Sequence, residues 1–142
     1  MSDGHKDLIR RWTDAINAGN LERLDAIVKP GFVRHSEATP GVVIQSLDDF
    51  KVFDQESRKI YGDYRVSMGT LIEEDDKVAF WAKFEGVQIG PLGPFPATGK
   101  PMSGDMAGYF RIEDGMIAEL WITWDNLAGL VQLGHLPPPG QL

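Results

Sequence analysis

Over the first eighteen positions apolar residues recur at intervals of three and four, so that Leu8, Ile9, Trp12, Ala15 and Ile16 share one face of a helix. Gly19 follows where a helix-ending glycine belongs. Asn20 then suits the cap of a second helix with Leu21, Leu24, Ile27 and Val28 on one side, closed by Pro30 and Gly31. These segments predict a helical hairpin. "FVRH", 32–35, reads as a short strand, and the polar, Gly- and Pro-containing stretch 36–41 as a loop. Ser46, with Asp49 three positions on, resembles a capping box that opens a third helix carrying Leu47, Phe50, Phe53 and Ile60.

From Tyr64 the period changes to two. Segments 64–72, 78–89, 100–112 and 116–124 are separated by the acidic turn "EEDDK", the loop "GPLGPFPATG" and the turn "EDG", which predicts a four-stranded antiparallel meander. "DNLAGLVQLG" returns to helical spacing, and "PPPGQL" cannot continue it. Helices first and a meander afterwards imply one α+β domain over 1–142, a cone of N-terminal helices on a strongly curved, mostly antiparallel sheet with a short C-terminal helix.

Alternate strand residues face alike, so the pattern also sorts the sheet into faces. Phe80, Ala82 and Phe84, then Gly104, Met106, Gly108 and Phe110, then Leu120, Ile122 and Trp124 make apolar rows expected inside the cone. Small residues beside large ones leave room there for a ligand. The opposite rows carry Trp81, Tyr109 and Trp121, aromatics that are costly to leave wet. They predict a homodimer packed through the outer sheet face, with a C-terminal tail folded over that face as the other solution.

Composition narrows the function. The 142 residues hold no cysteine, which removes disulfides, thiolate metal sites and a cysteine nucleophile. Fourteen basic against 21 acidic residues, a formal charge of −7, disfavour a nucleic-acid partner. No apolar run approaches a membrane span and the N-terminal stretch lacks a signal peptide's apolar core, so a cytoplasmic protein without membrane attachment is expected. The three histidines are scattered without a carboxylate at ligand spacing, and no metal site is expected.

The order of "ATGK", "YFRIEDGMI", "ELW", an aspartate four residues after Trp121, "LAGLVQLG" and a proline-rich end resembles the SnoaL-like polyketide cyclase family of the nuclear transport factor 2-like superfamily. "RRWTDAINAGNLERLDAIVKPGFVRH" is similar to that superfamily's opening. The resemblance implies the cone-shaped fold, a dimer, and cofactor-independent cyclase or isomerase-type proton transfer on a hydrophobic, carbonyl-containing, polyketide-like molecule. It retains Asp125, while Gln88 and Leu120 stand where the family often has histidine.

The candidate catalytic residues are Asp125 and His35. A carboxylate or an imidazole can take a proton next to a carbonyl. Asp125 also directly precedes a helix, where aspartate caps backbone N–H groups, and His35 also reads as a surface residue at a strand end. The candidate substrate-binding residues are Gln88, which could orient an oxygen, and the apolar walls Trp12, Phe53, Phe84 and Met106. Leu120, Ile122 and Trp124 complete those walls. Two rivals to an enzyme stand beside it: a noncatalytic protein whose cavity binds an apolar ligand, and a dimeric scaffold whose cone is filled.

Overall fold

Residue period decides the elements, and the ends are set by capping. The computed structural model describes residues 2–138 and 140. Helix α1, Ser2–Ala18, buries Leu8, Ile9, Trp12, Ala15 and Ile16. It closes with the Gly19 N–H donating to Ile16 O and the Asn20 N–H to Ala15 O, a paired closure that needs Gly19 at φ +67°. Asn20 is thereby used to end α1 and makes no side-chain cap of its own.

The expected second α-helix does not form. Residues Leu21–Ala26 make a 3-10 turn, and strand β1 already begins at Val28 and runs to His35. Leu21, Leu24 and Ile27 are spaced by three, which suits the tighter turn equally well. Pro30, expected to stop a helix, is tolerated because β1 is an edge strand of the sheet, with β5 as its one neighbouring strand among the described residues. That pairing is parallel, so the meander gains a fifth strand at its edge.

Helix α2, Leu47–Ile60, starts as expected: Ser46 Oγ accepts from the Asp49 N–H at 3.0 Å, and Asp49 Oδ2 accepts from the Gln45 N–H at 3.0 Å. Strands β2 (Tyr61–Glu74), β3 (Lys77–Gln88), β4 (Pro101–Glu113) and β5 (Met116–Trp124) follow as the antiparallel meander, in sheet order β1-β5-β4-β3-β2. The β4–β5 turn places Asp114 and Gly115 at φ +52° and +75°, the mirror-image turn whose twist suits a hairpin. Helix α3 spans Asn126–Gln132.

The sheet is curved and unclosed, and its inner face is covered by the helices. The indole of Trp12 joins α1 to β1, α2 and β4, with ring centroids 5.6, 4.8 and 5.4 Å from Phe32, Phe50 and Phe110. No helix among the described residues is long and apolar enough to cross a membrane.

Candidate functional site

Beyond that aromatic core, the inner face of the sheet opens into a cavity of about 290 Å³. This is near the lower end of the roughly 300–1,000 Å³ of small-molecule pockets. Its wall is the expected inner rows: Phe84 from β3, Met106 from β4, and Leu120, Ile122 and Trp124 from β5. Trp12 and Phe53 close it from the helices. Seven of the eight expected binding residues therefore line one space.

Gln88 does not line it. Its parity is inward, but at the end of β3 the strand has passed the cavity, and the side chain is fully buried under the following loop. Its Nε2 donates to Gly90 O and Phe95 O, while Oε1 accepts from Thr98 and lies 2.8 Å from His135 Nε2. A carboxamide satisfied on both ends fastens the 90–99 loop and has nothing left for a ligand.

His35 also lies elsewhere. In β1 Phe32 and Arg34 are buried, so His35 takes the outer face. Its ring stacks on Trp121 at 4.9 Å, and Nε2 lies 2.5 Å from Glu119 Oε2. Tyr109 stacks on the other side of Trp121 at 4.5 Å, which makes a three-ring ladder across β4, β5 and β1. Burial pushes the Glu119 carboxyl up, but the bonds from His35 and Arg111 outweigh it and hold it below the usual carboxylate value.

Asp125 settles in a double position. It is the N-cap of α3, with Oδ1 accepting from the Ala128 N–H at 3.0 Å, and it also stands on the cavity rim, exposed. Asn126 holds this corner in place: its Oδ1 accepts from Trp124 Nε1 at 2.9 Å and its Nδ2 donates to Ala38 O at 2.7 Å. Strand parity alone would turn Asp125 outward, yet it lines the rim where β5 ends and its extended backbone passes into α3.

Three polar groups inside the cavity were not singled out by the sequence pattern. Arg34 is buried, with its guanidinium 4.4 Å from the Phe53 ring and 5.5 Å from the Trp124 ring, and Nη1 donating to Thr39 Oγ1. Such cation–π contacts are worth about 1–2 kcal/mol each when desolvated. Burial lowers its pKa to about 10, which leaves it charged at neutral pH. Asp54 is buried on α2 and accepts from Arg58 Nε at 2.7 Å; burial raises its pKa against the opposing effect of Arg58. Burial, with a smaller contribution from Asp54, pushes the Tyr64 hydroxyl far above its usual value, so it is a neutral donor. Among the described residues no group of three or more His, Asp or Glu is arranged to hold a metal ion.

A model of the SnoaL-like polyketide cyclases matches residues 6–133. The chain belongs to this family. No curated protein matches it at a significant level. Among solved structures, this SnoaL-like chain is similar to TsrD from Streptomyces laurentii, with a TM-score of 0.82 and 27% identity over 94% of this chain and 97% of that one. It is likewise similar to IdmH from Streptomyces antibioticus, provisionally described as a polyketide cyclase, with a TM-score of 0.80 and 26% identity over 92% and 98% of the two chains. A Catenulispora acidiphila protein with a ketosteroid isomerase-like fold, solved with trimethylamine, shares the fold at a TM-score of 0.76 and 16% identity over 89% and 92%. Of the residues that the family resemblance singled out, Leu120 adds an apolar wall to the SnoaL-like cavity, Gln88 lies outside it, and Asp125 brings the carboxylate to its rim.

Proposed function

We propose that this SnoaL-like protein is a cofactor-independent cyclase-type enzyme, in which Asp125 removes a proton from a carbon next to a carbonyl of a hydrophobic, polyketide-like molecule held in the cavity. The observation that carries this is that Asp125, the carboxylate which the family resemblance singles out, stands on the rim of a ligand-sized, largely apolar space. Only Oδ1 of Asp125 is engaged in capping among the described residues, which leaves Oδ2 as the proton acceptor. The carbanion formed is delocalised onto the carbonyl oxygen. The aromatic walls fold the chain so that this carbon meets a second carbonyl carbon, a C–C bond forms, and the proton passes to the resulting alkoxide.

A noncatalytic binding role is the second reading. It is favoured by the outward position of His35 and the full engagement of Gln88, which leave the cavity with fewer free polar groups than a cyclase of this family was expected to carry. Both readings take the same apolar ligand and differ only in turnover. On either one, the Tyr109, Trp121 and His35 ladder, beside a Trp81 that is 56% exposed, is the face by which a second copy of the chain docks.

Hydrogen exchange at the carbon next to the carbonyl of 2-tetralone in D2O, followed by proton NMR, separates the two. The wild type is expected to exchange it well above the buffer rate. Gly104→Leu should abolish the excess, because a Cβ at Gly104 meets nothing within 4 Å and the longer side chain fills the cavity. Binding of 2-tetralone without exchange would reject the enzyme and leave the binding protein.

A further inference from the structure

Outside β1, the two half-buried arginines find carboxylates, Arg58 bonding Asp54 and Arg111 bonding Glu119, while the remaining arginines are exposed. Arg34 finds none among the described residues, although it is only 7% exposed. It is also the only Lys or Arg on the cavity wall among the described residues. Of the three carboxylates lining that space, Asp54 is committed to Arg58, while Asp105 and Asp125 are exposed.

Buried charges are normally paired, because an uncompensated ion in an apolar setting is costly. The guanidinium carries five N–H donors in a planar fork, of which Thr39 takes one. Phe53 and Trp124 hold the group by their faces, and ring faces accept no second conventional hydrogen bond from the fork's edge. The rings thus fix the orientation of the cation without neutralising it. A planar fork with free donors, in a space too apolar to hydrate it well, matches a planar anion with two oxygens.

We propose that Arg34 is the anion-binding group of this cavity and that the ligand is a flat hydrophobic acid, whose carboxylate seats on the guanidinium while its carbon skeleton lies against the apolar wall. The assignment rests on the cavity being the substrate site and narrows the substrate class from carbonyl compounds in general to those carrying a carboxylate. Trp124 links the two ends of the site, since its ring lies beside Arg34 and the next residue is Asp125.

The probes are 2-naphthoic acid and methyl 2-naphthoate, equal in ring system and different in charge, titrated into the purified protein by calorimetry near neutral pH. The wild type should bind the acid at least about tenfold more tightly than the ester, as a charge-assisted two-point bond requires. Arg34→Gln should bring the two to equal affinity while its ester affinity stays within about threefold of wild type, which shows the cavity intact. Arg34→Lys, which keeps the charge and loses the fork, should fall between them. The wild-type ratio alone decides the matter if the variants fail to fold. Equal wild-type affinities for acid and ester would overturn the proposal, assign Arg34 to a neutral carbonyl oxygen, and leave the cyclase-type reading intact. Failure of both probes to bind would overturn the proposal together with the reading of the cavity as the substrate site.

Discussion

Removing the Asp125 side chain separates its two positions by energy. Asp125→Ala deletes one bond, the 3.0 Å contact from the Ala128 N–H to Oδ1, at an exposed helix start. Loss of an aspartate cap costs about 0.5–2 kcal/mol, and exposure places this case near 1 kcal/mol. The other anchors of α3 remain: Asn126 bridging Trp124 and Ala38, Gln132 exchanging two 2.8 Å bonds with Ser103, and Leu133 fully buried. The helix therefore stays docked, and the midpoint temperature should fall by about 3 °C for a chain of this length. Asp125→Asn retains a capping oxygen and loses only the favourable charge at the helix start, about 0.3 kcal/mol. Urea unfolding of the three proteins, with equal slopes, reads these differences directly. An unchanged midpoint for Asp125→Ala, or an Asn variant as weak as the Ala variant, would refute the cap as the reason for this geometry.

Other substitutions test the surrounding assignments. Because the folded-state pKa of Asp54 is raised by burial, the folded protein holds this proton more tightly than the unfolded chain does, and the associated stability is lost as pH rises through the folded pKa. The unfolding free energy of wild type minus that of Asp54→Asn should accordingly decline as pH rises from the unfolded-state carboxyl pKa of about 4 through the raised folded-state one; a rise would reverse the assignment. Gln88→Leu strands the carbonyls of Gly90 and Phe95 and should cost about 2–3 kcal/mol in urea unfolding, while affinity for 2-tetralone changes less than about threefold. Trp81→Glu puts a charge on the exposed aromatic face and should convert a dimer to a monomer in light scattering; a monomeric wild type would dismiss that face as an interface.

The meander was legible because half-buried strands alternate apolar with polar positions, which marks the rows through Phe84, Met106 and Ile122 in the sequence itself. The α2 start was legible because Ser46 and Asp49 make a local motif that needs no tertiary partner. Residues 21–28 were not, since a three-residue spacing fits an α-helix and a 3-10 turn alike, and the choice is made by β1 pairing with β5 ninety residues away. Arg34 was hidden by its neighbour. The alternation from Phe32 pointed it inward, but a charged residue in a four-residue strand reads as surface until Phe53 and Trp124 are seen on either side. Asp54 carried a signal too, lying seven residues after Leu47 and four after Phe50 on the buried stripe of α2, with Arg58 one turn further on. Gln88 was misplaced because parity tells which face a residue takes and says nothing of where along the strand the cavity ends.

The measurement that bears most directly on the central claim is the exchange rate of 2-tetralone with Asp125→Asn beside wild type. If Asp125 is the base, the Asn variant folds, binds the ketone as wild type does, and exchanges its protons about 100- to 10,000-fold more slowly. A variant that keeps the wild-type rate would leave Asp125 a helix cap alone and contradict the account.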